Sequence, residues 1–160
     1  MATKPKTMIA LALAAKTTNE ARRTLEAYAG KVDLAELRID GMLECNLQAL
    51  LDDKPCPVIV TNRPVWEGGR CEDDEFKRIG ALLEAAAAGA EHIDCELAAV
   101  ERLGHRALGG AKLILSHHDF VRMPDLPQAL HRCHAAGADI AKAVGMASSL
   151  LDAAVALRAL

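Results

Sequence analysis

The sequence is poor in aromatic residues, with one Trp, one Tyr and two Phe among 160 positions. A close-packed interior must therefore be filled by Ala, Leu, Ile and Val, and the 51% apolar content supplies them. No apolar run approaches the roughly 18 residues of a membrane span. The start, "MATKPKTMIALALAAKTTNE", is basic and then apolar. Its apolar centre is only about eight residues long, so it reads as a strand and not as an export signal. There is no excess of one charge: the formal net charge is −3. Nucleic acid and anionic membranes are thus excluded as main partners. The five cysteines, Cys45, Cys56, Cys71, Cys95 and Cys133, are odd in number, widely spaced and without a CxxC pair. That pattern excludes a disulfide framework and a zinc site, and it points to a reducing, cytoplasmic location. No Gly-rich phosphate signature appears: "EGGR" (67–70) has neither dinucleotide-binding nor P-loop spacing, so no nucleotide site is expected.

What the sequence does have is a repeat. Short apolar runs occur at 8–14, 32–39, 57–62, 91–97, 111–117 and 138–144. Amphipathic stretches lie between them. Thr18 is placed to cap "NEARRTLEAYAG", Asp73 or Asp74 to cap "EFKRIGALLEAAAAGA", and Ser148 or Ser149 to start the last helix. A further helix is expected over Pro124 to Ala136. Strand and helix alternate at a step of about 25 residues with no linker, which predicts one domain over 1–160 with a parallel sheet. Two architectures fit: a doubly wound open sheet, or a (β/α)8 barrel that stops early. Eight units at this step need about 200 residues at the least.

The strand ends carry the chemistry. Glu36, Arg38 and Asp40 end the second run, Thr61 and Arg63 the third, Asp94 and Glu96 the fourth, and "SHHDF" (116–120) the fifth. Residues two apart share a face, so Glu36 goes with Arg38, Asp94 with Glu96, and Ser116 with His118. Five charged strand ends suit the mouth of a barrel better than one crevice. The sixth run, "GADIAKAVG" (137–145), sets Lys142 in an apolar strand. That lysine either pairs with Glu36, Asp94 or Glu96, or it acts as a nucleophile toward a ketone. Desolvation and nearby cations such as Arg38 and Arg63 favour the neutral amine that a Schiff base needs. His118 has the proton affinity of a general acid/base, and Glu67 in its glycine-flanked loop could orient it. His117 is expected on the opposite face. His92, His105, His131 and His134 read as structural, and Trp66 as a packing anchor for the loop.

The segments "ELRID" (36–40), "TNRPVWEGG" (61–69), "IDCEL" (93–97), "SHHDF" (116–120) and "GADIAKA" (137–143) occur in one order along nearly the whole chain. In this the sequence resembles the type I 3-dehydroquinate dehydratases. The resemblance implies a (β/α)8 TIM barrel, here with six of its eight βα units, and commonly a homodimer when the barrel is complete. It implies a hydro-lyase of the shikimate pathway, the route to aromatic amino acids. Such an enzyme dehydrates 3-dehydroquinate to 3-dehydroshikimate through a lysine Schiff base, with no cofactor and no metal. By the same resemblance Lys142 is the Schiff-base lysine, His118 the general acid/base and Glu67 its orienting carboxylate. Glu36, Arg38 and Arg63 are implied as substrate-binding groups.

The sequence departs from that pattern in lacking the arginine of the seventh unit and the serine and glutamine after the eighth strand. Ala12 also stands where some members carry serine. A six-unit barrel is expected to leave its first and last strands as open edges. A piece of a longer reading frame is the leading explanation, beside a degenerate gene product and a half completed by another chain. Two other functions share the same residues. One is a different Schiff-base lyase or aldolase. The other is a non-catalytic barrel fragment that binds a small carboxylate or a partner subunit.

Overall fold

A computed structural model describes residues 7–103 and 108–159. His105 and the first six residues of the N-terminal stretch lie outside them. The six apolar runs become β1 (Ala10–Leu13), β2 (Leu34–Arg38), β3 (Val58–Thr61), β4 (His92–Glu96), β5 (Lys112–Asp119) and β6 (Ile140–Gly145). They form one parallel sheet in the order β1-β2-β3-β4-β5-β6. Sequential order with parallel neighbours is the winding of a (β/α)8 barrel wall; a doubly wound sheet would reverse its order partway. Among the described residues, β1 and β6 each pair on one side only.

The helices are α1 (Thr18–Ala27), α2 (Leu47–Leu51), α3 (Glu75–Ala87), α4 (Val100–Leu103), α5 (Leu126–Ala135) and α6 (Leu150–Arg158). Asp74, Asp125 and Ser149 accept from backbone N–H groups of the first turns of α3, α5 and α6. At α1 the cap is Thr17 and not the expected Thr18: Thr17 accepts from Glu20 N, while Thr18 is buried and its hydroxyl donates to Glu44 Oε1. Helices α2 and α4 are too short to carry a readable 3.6-residue period.

The core lies between sheet and helices. Ala35, Leu37, Val58, Val60, Ile93, Cys95 and Leu115 project outward and are at most 1% exposed. Ala21, Leu25, Leu50, Ile79, Leu82, Ala85 and Cys133 pack with them from the helix side. Each large aliphatic side chain so buried contributes about 1.5–3 kcal/mol. Burial pushes the Cys95 thiol up to about 12, so it stays a neutral packing group. The residues between these outward ones face the concave side.

Candidate active site

The pleat fixes which side chains meet. In register, Glu96 lies beside Ser116 and Ser116 beside Lys142. Alternation then puts Asp94, Glu96, Ser116, His118 and Lys142 on one face, with Glu36 on the same side of β2. A cavity of about 560 Å³ opens there, with Glu36, Asp94 and Lys142 in its wall beside Ile59, Ile114 and Ile140.

Lys142 Nζ lies 3.0 Å from Asp94 Oδ2 and 3.5 Å from Glu36 Oε1. Its side chain keeps 35% of its exposure, so a small molecule can reach the amine. Its ion-pair partners are these carboxylates. Of the two cations expected near it, Arg63 shares Asp94 Oδ2 with the amine, while Arg38 is held by Asp40. Asp94 is shared: its Oδ2 also lies 2.8 Å from Arg63 Nη2, and its Oδ1 accepts from Ser116 Oγ at 2.6 Å. Burial works against the charge of Asp94, yet Arg63, Lys142 and Ser116 together hold its carboxyl below the usual carboxylate range.

His118 Nδ1 and Glu67 Oε2 are 2.8 Å apart. The carboxylate selects the tautomer with hydrogen on Nδ1, leaving Nε2 for proton transfer. Glu67 reaches this place because of two glycines. It ends a single 3-10 turn over Val65–Glu67, and Gly68 then takes φ +74°. A Cβ on Gly68 would collide with the Phe120 ring, and one on Gly69 with the Arg63 carbonyl. Phe120 stacks on His118, ring centroids 5.9 Å apart, and backs the imidazole. His117, expected on the far face, still brings Nδ1 to 3.9 Å from Glu67 Oε1. The Glu67 loop crosses the end of β5, where alternation no longer separates neighbours. Trp66, expected as a packing anchor for the loop, is 52% exposed.

Of the three groups expected to touch substrate, Glu36 lines the cavity and accepts from Thr61 Oγ1 at 2.7 Å. Arg38 is a third exposed and grips Asp40 with two bonds, Nε to Oδ1 at 2.8 Å and Nη2 to Oδ2 at 2.9 Å. Arg63 is only 3% exposed. Its guanidinium is surrounded by Asp94, Glu96, Ser116 Oγ and Glu67, so it forms the floor of the site.

Three contributors were not assigned roles by sequence reasoning: Ser116, Asp40 and Arg78. Ser116 is buried, donates to Asp94 and accepts from Arg63 Nη1 at 2.7 Å. Arg78, on α3, is fully buried and lies with Nη1 2.6 Å from Glu96 Oε2. A signal for it exists. The buried stripe of α3 runs Arg78, Ile79, Leu82, Ala85, Ala86, and a cation on such a stripe needs an anion beneath it. Burial pushes Glu96 above the usual carboxylate range, although Arg63 and Arg78 pull the other way. Among the described residues no three His, Cys, Asp or Glu side chains converge as a metal site.

Fold and site define a class: a parallel βα-barrel protein with an amine, an imidazole and a buried guanidinium meeting at its strand ends. Comparisons narrow this. The sequence model of the type I 3-dehydroquinase family matches residues 9–160. The 3-dehydroquinate dehydratase of Methanothermobacter thermautotrophicus is 38% identical over 153 residues, covering 92% of this chain and 67% of that protein. The chloroplastic bifunctional 3-dehydroquinate dehydratase/shikimate dehydrogenase of Arabidopsis thaliana is 33% identical over 142 residues, 82% of this chain and 24% of that one. Among solved structures, the 3-dehydroquinate dehydratase of Geobacillus kaustophilus superposes with TM-score 0.85 at 24% identity, covering 96% of this chain and 67% of that one. The chain belongs to the type I 3-dehydroquinase family. It spans about two thirds of the length of the Methanothermobacter relative and 57% of that of Desulfotalea psychrophila.

Proposed function

We propose that the concave site carries the family reaction, dehydration of 3-dehydroquinate to 3-dehydroshikimate. The observation that carries this is one chain of contacts. Lys142 and His118 lie on the same face, joined through Asp94, Arg63 and Glu67. The neutral Lys142 amine adds to the C3 ketone, and loss of water gives an iminium. His118 then takes the proton from C2, which the iminium has made acidic, leaving an enamine. The enamine expels the C1 hydroxyl, which departs as water with the proton His118 now holds. Hydrolysis of the product iminium returns the amine, so the net change is the loss of one water. Asp94 and Glu36 hold the lysine over the cavity.

Glu36 and Arg38 are the groups proposed to meet the substrate's hydroxyls and carboxylate. Arg63 sits beneath the reacting atoms and aligns Asp94 and Glu67. Chain 1–160 is taken as a single partial barrel domain of a cytoplasmic enzyme that is dimeric when the barrel is complete. In support of that location, no described helix is long and apolar enough to cross a membrane, and all five cysteines are free.

The experiment is reductive trapping. The protein is incubated with 3-dehydroquinate and borohydride, and the modified residue is located by mass spectrometry. A reduced adduct on Lys142, absent from Lys142→Met, is the expected result. The Lys142→Met protein should melt within about 1 kcal/mol of the parent's stability, since a partly exposed ion pair is lost while Arg63 and Ser116 still hold Asp94. An adduct that survives this substitution overturns the assignment. Absorbance from the conjugated product separates trapping from turnover.

A further inference from the structure

The buried arginine of α3 has no part in the mechanism just given, although it is the least exposed cation among the described residues. Arg78 is 0% exposed and reaches from the helix layer across the ends of β3 and β4. Its Nη1 donates to the carbonyl of Asn62 at 3.0 Å and lies 2.6 Å from Glu96 Oε2. On its other side, Nε and Nη2 donate to the two oxygens of Glu75 at 3.0 and 2.9 Å. Glu75 is in turn approached by Arg102 at 3.5 Å. The second oxygen of Glu96, Oε1, binds Arg63.

Charges therefore alternate from the helix surface into the site: Glu75, Arg78, Glu96, Arg63. At Arg63 the line forks. One branch goes through Asp94 to Lys142 at 3.0 Å. The other goes through Glu67, 3.7 Å from Arg63, to His118 at 2.8 Å. Both reacting groups thus take their position from one guanidinium, and among the described residues Glu96 is the one anion on that guanidinium which touches neither of them.

We infer that Arg78 is a positioning residue for the Schiff-base chemistry: by sharing Glu96 with Arg63, it keeps Arg63 at the fork between Asp94 and Glu67. The physical argument is competition. With Arg78 present, the Glu96 charge is divided between two cations. Without it, the whole charge falls on Arg63 in a site shielded from water, where unscreened attraction is strong. Glu96 Oε2, no longer held by Arg78, then competes with Asp94 and Glu67 for the Arg63 donors, and both Lys142 and His118 lose their alignment. The bond from Arg78 to the Asn62 carbonyl adds a second hold, on the backbone just before Arg63.

The inference rests on the proposed function, so its test has one readout that depends on trapping and one that does not. The first is the limiting rate of Lys142 trapping at saturating 3-dehydroquinate. Arg78→Met should lower it on the order of 10- to 100-fold, the cost of a misplacement of about 1 Å. The half-saturating concentration should stay within about twofold, because no substrate contact is removed. Adding Glu96→Gln to Arg78→Met should restore much of the rate, since a neutral amide no longer pulls on Arg63. Arg78→Lys keeps the charge and should fall between parent and Arg78→Met. It also serves if the Met variant does not fold.

The second readout is hydrogen exchange at the Arg63 Nε–H followed by 15N NMR. It should be at least tenfold faster in Arg78→Met, or in Arg78→Lys if only that folds, while backbone amides of β4 keep their protection. Such acceleration supports the inference even if the parent forms no adduct, an outcome that overturns the proposed function alone. Unchanged Arg63 exchange, an unchanged trapping rate, or a loss that Glu96→Gln does not relieve overturns the role of Arg78.

Discussion

The two faces of the sheet are both buried, but by different physics. Outward, Leu37, Val58, Val60, Ile93 and Leu115 are shut away by aliphatic contact with the helices. Inward, Arg63, Asp94, Glu96 and Ser116 are equally hidden, each by charge pairing or hydrogen bonding. On β4 and β5 the two kinds of position alternate directly, and Arg63 follows two residues after the end of β3. The outward face gains stability directly from area removed from water. The inward face gains little net stability, because desolvating its ions offsets their attraction. What it gains is a fixed geometry. A residue's parity along a strand therefore tells which property it serves.

The sharpest way to break this comparison is to delete the hub. Arg63→Met leaves Asp94 and Glu96 buried with fewer partners, and about 3–5 kcal/mol of stability should be lost in urea unfolding. A loss below about 1 kcal/mol would mean that the inward charges are independently solvated. Next comes the outward face. Leu82→Ala, at a position with 0% exposure, should cost about 2–5 kcal/mol. Its trapping rate per folded molecule should equal the parent's; a slower rate would show that the faces are coupled. A smaller effect is expected at the loop. Gly68→Ala forces a side chain into φ +74° against Phe120, costing about 1–3 kcal/mol, and it should slow trapping by displacing Glu67.

The smallest effect is on pH dependence. Asp94 is held below the usual range against the opposing effect of its burial, as is Asp40 by its Arg38 bonds, so each binds its proton more weakly folded than unfolded. Their contribution is complete above the ordinary carboxylate range and is lost as pH falls below about 4 through the folded values. Glu96 is raised by burial, so its sign is opposite: just above about pH 4 the folded state holds the extra proton, and stability falls as pH rises. Glu96→Gln should flatten that second slope and leave the acid limb intact in thermal melts across pH.

Much of this was legible in advance. Each of the six strands falls on its apolar run, although β5 and β6 extend past the run's end by two residues and one, because a two-faced parallel strand needs short, nearly continuous apolar stretches. Alternation alone paired Glu36 with Arg38, Asp94 with Glu96 and Ser116 with His118; that these pairs and Lys142 share one face needed the register between strands. Glu67 was harder, since a loop residue has no period; its placement came from the flanking glycines and the motif. The burial of Arg63 was not legible. Sequence gives its strand end but not that four acceptors close over it. Arg78 was passed over because helix arginines are usually solvated, although its place on the apolar stripe was visible.

The last helix teaches something about dynamics. The start of α6 is secured locally, by Ser149 and Asp152 capping each other's backbone. Yet no residue of α6 is fully buried, and Leu150, Leu151 and Leu157 are 72–92% exposed. Such a helix can peel away as a unit without disturbing the layer that β2–β5 share with α3. Proteases should nick the preceding segment at 146–149 long before global unfolding, releasing a sheet whose chemistry-bearing strands remain folded.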